Sequence, residues 1–496
     1  MKTNLNETNS VHRKFENLIS KTMKIIVLIF LVYFSNSAIS GKSKALACVP
    51  DRFSNKPEQA VQLQQDEPLS QDYEVWINGV KAKVYIARVQ DAPWEKERTK
   101  LDFGGNYSFT SFDISGPVEV KIHSSKKTLD KTVFRPDNAK VKKLNKTSNE
   151  ITFTIDNPIK LSIEPDGKNA PLLLFANSVE EFVPDKNDKN VIYFGPGIHK
   201  PDSALVRVRD NQTLYLAEGA ILKAGVIVSG NNARILGRGI ICGNDFVWGK
   251  GARNLILVRG NNVTVKDVIL RGGATWSMPL RNCHDIVIDN IKILGGRAQN
   301  DDGINPCNAQ DVLIKNCFII TDDDCLALKG MQNDNKNVER ITVENTILWC
   351  DRARIFLLGH ESRAVYMRDL TFRNIDIIHF SMTAFLLEPG EEMKLENALF
   401  ENFRINGEGQ KELIRLKPTI NQYMKTKVPG HISNITFKNM KVTGSDGKYS
   451  IQLTGADEKH MVSGVNLLGL SILGEKVKTG SKYLQVDNFV EKISIK

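Results

Sequence analysis

The sequence predicts an all-β protein in which a right-handed parallel β-helix follows a small antiparallel β-sandwich. The helix is predicted by a nine-residue phrase that recurs six times and by a second series of apolar strands between the copies. The sandwich is predicted by short alternating strands with charged turns before residue 190, where the recurring phrase is absent.

The recurring phrase has Asn at its sixth position in every copy, and successive copies begin 26, 29, 29, 28 and 37 residues apart. Each copy alternates apolar and polar residues before the Asn and is mostly apolar after it, which indicates a strand, a tight turn and a second strand. Asn tolerates the left-handed conformation of such a turn, so a solenoid with an internal Asn ladder is expected. A large β-sandwich is the alternative, but it gives no reason for Asn to recur at one phase. The six residues are Asn290, Asn316, Asn345, Asn374, Asn402 and Asn439.

The second strand series is expected to form one face of the helix, because strands at one phase of successive coils lie about 4.8 Å apart. Polar residues cluster near the ends of these strands, as on the floor of a groove. The residues predicted to share this face are Asp302, Asp323, Asp324, His360, Glu361, Glu388, Arg415 and Lys417.

The chain divides into a predicted signal peptide and leader (1–48), a linker (49–67), the β-sandwich (68–185) and the β-helix (186–496). A basic residue, a short apolar run and small residues over 23–41 are typical of a secretory signal and too short for a stable membrane span. A secreted, periplasmic or cell-surface protein is therefore expected. Cys48 after Ala47 offers a weaker alternative, a lipoprotein anchor.

Composition excludes some partners. Lys and Arg exceed Asp and Glu by 67 − 57 = 10, without a basic stripe interleaved with aromatic residues, so no nucleic-acid partner is predicted. The seven cysteines have no C-x-x-C spacing, so no metal and no cofactor are predicted. Cys317 and Cys325 are expected to be buried free thiols.

Several motifs together resemble a clan of β-helix glycoside hydrolases that includes the polygalacturonases (family 28) and dextranase and isopullulanase (family 49). The polygalacturonase pattern N-T-D-G, D-D-C, G-H-G, R-I-K is met at 300–303 and 323–325 and in part at 359–361. Tyr193 to Gly197 and Gly237 to Gly239 also fit, so the resemblance spans roughly 190–445. The fourth motif fails, because the coil after His360 carries Glu388 and the letters R-L-K occur one coil later, at 415–417.

This departure bears on the substrate that the resemblance implies. In polygalacturonases the basic pair is expected to hold the uronate carboxylate, whereas here an acid occupies that coil. The triple acid at 322–324 and the preceding sandwich look more like family 49. The expected partner is therefore a polysaccharide or oligosaccharide that is either galacturonan-like or neutral.

The resemblance also implies inversion, with Asp323 as general acid and with Asp302 and Asp324 holding and deprotonating the water. Crowded carboxylates keep one proton among them, which supplies the acid. Successive residues of a regular strand face opposite ways, so a bend or bulge is expected where Asp323 and Asp324 both face the groove. A regular strand would instead pair Asp322 with Asp324.

Further residues are predicted to contact the sugar, and each also has a structural interpretation. The cations can pair with acids, His360 can be structural, and Trp276 can either stack on a sugar or cover the helix end. Asp301 and Asp322 are expected to be turn residues. The predicted substrate-binding residues are His360, Lys329, Arg354, Glu388, Arg415 and Trp276.

Two other functions fit a β-helix. A polysaccharide lyase would use calcium and a basic proton acceptor, so a chelator would abolish its activity. A non-catalytic adhesin or glycan-binding protein has no need of acids stacked in one groove. The stacked acids favour the hydrolase.

Overall fold

A computed structural model describes residues 67, 69–87, 106–247, 254–296, 298, 300–331 and 337–496. The regular structure within these ranges consists of strands, and the predicted fold class, a right-handed parallel β-helix after a small β-sandwich, is confirmed. The predicted signal segment, the linker up to residue 66 and Cys48 lie outside the described residues. Within the described ranges, no helix is long and apolar enough to cross a membrane.

The strands fall into two groups along the chain. The sandwich strands are β1 (Glu74–Ile77), β2 (Val80–Ala82), β3 (Tyr85–Ala87), β4 (Tyr107–Ile114), β5 (Val118–His123), β6 (Val133–Arg135), β7 (Lys142–Lys146), β8 (Glu150–Ile155), β9 (Ile159–Lys168) and β10 (Leu172–Ser178). The coil strands are β11 (Val191–Phe194), β12 (Gly197–His199), β13 (Leu205–Val208), β14 (Thr213–Leu216), β15 (Ala220–Leu222), β16 (Gly225–Val228), β17 (Arg234–Gly237), β18 (Ile240–Cys242), β19 (Ile256–Val258), β20 (Val263–Lys266), β21 (Ile269–Arg271), β22 (Met278–Arg281), β23 (His284–Asp289), β24 (Lys292–Leu294), β25 (Ile304–Cys307), β26 (Gln310–Lys315), β27 (Phe318–Thr321), β28 (Leu326–Gly330), β29 (Val338–Glu344), β30 (Ile347–Cys350), β31 (Arg354–Ser362), β32 (Tyr366–Phe380), β33 (Thr383–Leu387), β34 (Lys394–Glu408), β35 (Glu412–Leu416), β36 (His431–Ser445), β37 (Ser450–Leu453), β38 (Val462–Ile472), β39 (Glu475–Lys476), β40 (Leu484–Val486), β41 (Val490–Glu491) and β42 (Ser494–Ile495).

The sandwich consists of two five-stranded sheets with the orders β2-β1-β5-β8-β7 and β3-β4-β10-β9-β6. Its strands bury alternate residues, as in β5, where Val118, Val120 and Ile122 are buried. One pair departs from the predicted antiparallel pattern, because β4 and β10 run parallel with Phe109 opposite Leu173. The long connection from β4 to β10 through the other strands makes this parallel return possible.

The β-helix pairs each coil in parallel with the next. Its strands form a 21-stranded sheet that folds around two faces and an 11-stranded sheet that forms the third. The 11-stranded sheet contains the second strand series in its predicted order, with β22, β25, β28, β31, β33, β35 and β37 as neighbours. In β32, β34 and β36 the strands of the first two faces join into 15-residue strands that run through the corner.

The six phrase Asn residues all adopt left-handed conformations, with φ between 52° and 60°. A side-chain ladder links four of them, because Asn374, Asn402 and Asn439 each donate from Nδ2 to the Asn Oδ1 of the preceding coil at 3.4, 3.1 and 3.1 Å. The predicted internal position is wrong, since the Asn residues are half-buried or exposed and apolar side chains fill the interior. The side chain of a left-handed corner residue points away from the coil axis. Asn316 is not part of this ladder, because its side-chain amide donates to the carboxylate of Asp289 at 2.8 Å.

Aromatic stacks fill part of the interior between β31 and β36. Phe372, Phe400 and Phe437 stack face to face on successive coils, with ring centroids 4.7 and 4.8 Å apart. Phe356 and Phe385 stack beside them at 5.3 Å. Each stacked pair stabilises its two coils by about 0.5–1.5 kcal/mol beyond the burial of its area.

The sandwich packs against the face of the helix that precedes the 11-stranded sheet. Phe175 of β10 meets Phe318 of β27 edge to face at 5.2 Å, and Trp349 of β30 belongs to the same buried cluster. Tyr107 donates from its hydroxyl to the carbonyl of Gly295 at 2.7 Å. The sandwich therefore supports the corner at which β27 turns towards the 11-stranded sheet.

Candidate active site

The winding brings Asp302 and Asp324 to neighbouring positions on adjacent coils. The backbone N–H of Gly303 donates to the carbonyl of Asp324 at 2.9 Å, and Ile304 is the partner of Leu326 in the parallel register. Both acids precede their strands by two residues, and the register therefore places them side by side.

The chain bends between β27 and β28, at residues 322–325. The buried carboxylate of Asp301 holds this bend, because its Oδ1 accepts the backbone N–H groups of Asp322 at 2.8 Å and Asp323 at 3.1 Å. The bend thus lies at the corner between two strands and not in a bulge within one strand. Asp323 and Asp324 are free of the strand alternation there, since neither belongs to a strand.

Asp322 turns away from the other two acids of its triplet. Its buried carboxylate lies 3.0 Å from the guanidinium of Arg352, and its charge acts on Asp301. The charges of Asp323 and Asp302, by contrast, act on the carboxyl group of Asp324. The pairing of Asp322 with Asp324, expected for a regular strand, does not occur.

Asp302, Asp323 and Asp324, at the corner that precedes the 11-stranded sheet, form one electrostatic cluster. We call these three acids together with Lys329 and Arg354 the acid face. Burial raises the pKa of Asp302 to about 6, with the charge of Lys329 opposing the rise and that of Asp323 adding to it. Burial likewise raises the pKa of Asp324 well above its ordinary range, although Arg354 opposes the shift. A proton is therefore held within the acid face at a pH where isolated carboxyls are ionised.

Asp323 has a different environment from its two neighbours. It is half-buried, whereas Asp302 and Asp324 are each only 2% exposed. Its carboxylate accepts hydrogen bonds from the side-chain amide of Asn300 at 3.2 Å and from the backbone N–H of Asp324 at 3.0 Å. Of the three carboxyl groups, that of Asp323 is the most accessible to a bound molecule.

Two cations are built into the acid face. The buried ammonium of Lys329 lies 3.4 Å from Asp302, 3.3 Å from Glu361 and 4.1 Å from the ring centre of Trp276. Burial acts to lower the pKa of Lys329, yet these acids raise it above its ordinary value. Arg354 lies with its Nε 2.9 Å from Asp324 Oδ1 and donates from a terminal nitrogen to Oδ2 at 3.1 Å. The predicted residues Lys329, Arg354 and Trp276 are therefore brought to the acids.

His360 and Glu388 lie on the next two coils and contact each other through Nδ1 and Oε1. The loop after β35 covers this pair, since Asn421 donates to the carbonyl of His360 at 2.7 Å and the ring of Tyr423 lies 5.0 Å from the imidazole. Both His360 and Glu388 remain half-buried and accessible.

Arg415 is not brought to the acids. Its guanidinium pairs with Glu412, three residues earlier on β35. The register explains this, because Arg415 lies on β35, three coils beyond the coil of Asp324, in the column of Leu357 and Leu386. The predicted sugar contact of Arg415 stays a prediction and concerns a position remote from the three acids.

The sequence interpretation missed Asn305. This buried side chain donates from Nδ2 to Asp302 Oδ2 at 2.7 Å and so fixes the carboxylate that also meets Lys329. The sequence signal that would have revealed it is an amide within the otherwise apolar strand Ile304–Cys307, because a buried polar side chain requires a partner.

The sequence profile described as Glycosyl hydrolases family 28 matches residues 237–347, which include the acids at 302, 323 and 324. Rhamnogalacturonase A from Aspergillus niger is 25% identical over 281 residues, which cover 53% of this chain and 60% of that protein. A probable polygalacturonase from Vitis vinifera is 30% identical over 110 residues, or 21% of this chain and 22% of that one.

The fold comparison extends further along the chain. Dex49A from Penicillium minioluteum superposes with a TM-score of 0.62 at 15% identity and covers 87% of this chain and 95% of its own. The resemblance to the β-helix glycoside hydrolase clan is confirmed. At 87% of this chain, the covered part extends beyond the coils.

Proposed function

We propose that this protein is a glycoside hydrolase that cleaves O-glycosidic bonds of a pectin-like polysaccharide or oligosaccharide with inversion at the anomeric carbon. The observation that carries the proposal is the acid face, where Asp302, Asp323 and Asp324 lie together and burial favours retention of a proton on the two buried acids. An inverting hydrolase needs one protonated carboxyl at the leaving oxygen and a carboxylate at the attacking water.

The three acids are assigned different roles according to their accessibility and their charged neighbours. Asp323 is the proton donor, because it is the most accessible of the three acids. Asp302 and Asp324 hold the water, and the one that is ionised removes its proton; Lys329 and Arg354 favour this ionised form against the effect of burial. Water attacks the anomeric carbon as the bond to the leaving oxygen breaks; its proton passes to Asp302 or Asp324 and the proton of Asp323 to the leaving oxygen.

The charges next to the acids favour a neutral sugar at the subsite beside His360. Lys329 and Arg354 already pair with carboxylates, and Glu361 and Glu388 add further acids there. A uronate at this position would meet like charge, whereas the hydroxyls of a neutral sugar can donate to Glu388. The rhamnogalacturonase and polygalacturonase names of the relatives support a pectin-like chain, with its uronate in another subsite.

A substrate panel tests the proposal. The purified protein is incubated with rhamnogalacturonan, polygalacturonate and dextran; reducing ends are counted and the anomer first released is followed by NMR. We expect release from rhamnogalacturonan with inverted configuration. A retained anomer contradicts the water mechanism, and an unsaturated product identifies a lyase instead.

A variant pair assigns the acid. Asp323→Asn is expected to lower kcat by a factor of about 10² to 10⁴ while glycan binding persists. Asp285→Asn is the matched control, because Asp285 is an exposed left-handed corner residue that Asn can replace without strain. Full activity in Asp323→Asn would remove this residue from the mechanism.

Secretion is part of the proposal and rests on the segment 23–41. The measurement is the N-terminal residue of the mature protein recovered from the periplasm, the cell surface or the medium. We expect it to lie after the apolar run, and a cytoplasmic protein that retains residues 23–34 would contradict secretion.

A further inference from the structure

Three side chains from three coil corners converge away from the acid face. Glu392 lies in the turn between β33 and β34, His431 begins β36, and His460 precedes β38. Their ligand atoms all lie within 4.8 Å of one another. The Nε2 atoms of His431 and His460 lie 2.9 and 3.4 Å from Glu392 Oε2. We call these residues the corner triad.

Both ring nitrogens of His460 face carboxylates. Nδ1 lies 2.8 and 2.9 Å from the two oxygens of Asp457, while Nε2 points to Glu392. A neutral imidazole has one N–H, and an ionised carboxylate only accepts hydrogen bonds. When Nδ1 carries the hydrogen for Asp457, the lone pair of Nε2 and the Glu392 oxygen face each other. Such a pair of acceptors can be bridged by a second proton, by water or by a metal cation.

Asp457 has the role of a supporting carboxylate. It accepts the backbone N–H groups of Lys459 at 2.9 Å and His460 at 3.0 Å, so it is itself fixed while it orients the imidazole. His460 is only 6% exposed, and its free nitrogen is therefore directed at Glu392 and not at solvent. A carboxylate behind a histidine ligand is the usual arrangement in metal sites, where it sets the tautomer and raises the basicity of the ligand.

The backbone holds the other two members in place. The N–H of Glu392 donates to the carbonyl of Pro429 at 3.1 Å, and the N–H of His431 donates to the carbonyl of Met393 at 2.9 Å. Gly390 and Pro429 also form an isolated antiparallel bridge. The corner triad is thus assembled by backbone pairing, without needing an ion to bring its members together.

We propose that the corner triad binds one divalent transition-metal ion of the zinc class, with two imidazole nitrogens, one carboxylate oxygen and one open position. Imidazole and carboxylate donors in a four-coordinate arrangement suit Zn²⁺. The bound ion fastens the turn that follows Glu388 to the two succeeding coils. The sequence interpretation predicted no metal because the ligands are 39 and 29 residues apart, the spacing of the coils, and no short motif contains them.

Zinc titration of the full-length chain, free of any His-tag and stripped with a chelator, tests the site at about pH 8. The readouts are zinc content per protein molecule and the shift of Tm. We expect one tightly bound ion and a rise in Tm, because the ion binds the folded state. His460→Ala is expected to lose both, and Asp457→Asn to weaken zinc binding by about 10- to 100-fold.

His284→Ala is the matched control, since His284 is an accessible histidine that also contacts an aspartate, Asp285, and it should bind zinc as the parent chain does. Circular dichroism and the metal-free Tm of each variant separate loss of the ion from loss of the fold. Should His460→Ala not fold, Glu392→Gln serves instead, because the Glu392 side chain is 61% exposed. Absence of stoichiometric zinc in the parent chain, or equal binding in the triad variants and the control, would overturn the proposal in favour of a proton-bridged ion pair.

Discussion

Buried charges occupy both the acid face and the contact between sandwich and helix, but the arrangement of acids and cations differs. At the contact, Arg238 lies with its nitrogens 2.9 Å from Asp113 and 2.7 Å from Asp267, and it donates to the carbonyl of Ser178 at 2.6 Å. On the acid face, three neighbouring carboxyls with Glu361 share two cations.

The arrangement of the charges separates a structural role from a chemical one. At the sandwich contact, one guanidinium lies between Asp113 of the sandwich and Asp267 of the helix, so the charges define how the two regions pack. On the acid face, burial raises the pKa values of Asp302 and Asp324, neighbouring carboxyls add to the rise, and the half-buried Asp323 lies beside them. A buried acid is therefore a better indicator of function when a more accessible acid shares its surroundings.

The largest expected effect is on catalysis, from a substitution on the acid face that should leave the fold intact. Asp302→Asn is expected to lower kcat/KM by a factor of about 10² to 10⁴, because the water loses its base. The free energy of unfolding should fall by no more than about 1 kcal/mol, since Lys329 keeps Glu361 as a partner and a buried charge is removed. Kinetics and urea unfolding of the same preparation measure both. A stability loss as large as the activity loss would make Asp302 a structural acid.

The next largest effect is on stability, from a substitution in the sandwich contact that should leave catalysis unchanged. Arg238→Met leaves Asp113 and Asp267 buried without their cation, which is expected to destabilise the protein by about 3–5 kcal/mol. Arg340→Met is the control, because Arg340 is an exposed arginine that also meets two acids, and it should cost about 1 kcal/mol or less. Urea unfolding compares them, and similar losses would show that burial does not distinguish the two sites.

A pH effect is expected at the same contact. His379 of the helix lies between Glu164 of the sandwich, at 2.9 Å, and Glu408, and these acids raise its pKa to about 9 although burial opposes them. Because the folded pKa exceeds the unfolded value, this stabilisation is complete below about pH 6.5 and is lost as pH rises through about 9. Unfolding free energies measured across that window should fall in the parent chain. An identical decline in His379→Gln would assign the loss to other groups.

The activity should depend on pH in the opposite direction. With the pKa of Asp302 raised to about 6, acidification through that value protonates the base, and kcat/KM should fall about tenfold for each further pH unit. The measurement is the pH profile of kcat/KM below neutrality. A plateau that continues to about pH 4 would show that the base has an ordinary carboxyl pKa.

The smallest effect concerns the corner ladder, which is remote from both regions. Asn402→Ala is expected to cost about 1 kcal/mol, because alanine is strained at φ 60° and the ladder hydrogen bond is lost. Asn402→Gly should cost less, since glycine accepts that backbone. Thermal unfolding of the two variants gives the comparison, and equal losses would locate the ladder's contribution in its side-chain hydrogen bonds alone.

The strands, the face that carries the acids and the proximity of Asp302 to Asp324 followed from the sequence because a fixed repeat converts chain distance into position. The bend at 322–325 was expected as well, from the need to orient two successive acids. What the repeat did not reveal was the identity of each polar partner. Arg415 pairs within its own strand, a choice that depends on side-chain direction and not on phase.

Three other features were missed or misplaced in the prediction. Asn305 was overlooked because the motif interpretation considered only the carboxylates, although an amide in an apolar strand requires a partner and Asp302 supplies it. The ladder was placed inside, because the alternation of a strand does not indicate where the side chain of a left-handed corner residue points. The members of the corner triad are far apart in the sequence, and only the winding of three successive coils brings them together.

The stacked phenylalanines of β31 to β36 give the coil array an uneven resistance to unwinding. In a solenoid each turn is stabilised mainly by its neighbours, and melting starts where that coupling is weakest. Phe372, Phe400 and Phe437 couple three consecutive turns just beyond the acids, so those turns should open together and late. Partial melting from the C-terminal end would therefore stop before it reached His360. The amide hydrogens of the strands that carry the three stacked phenylalanines should be among the slowest to exchange.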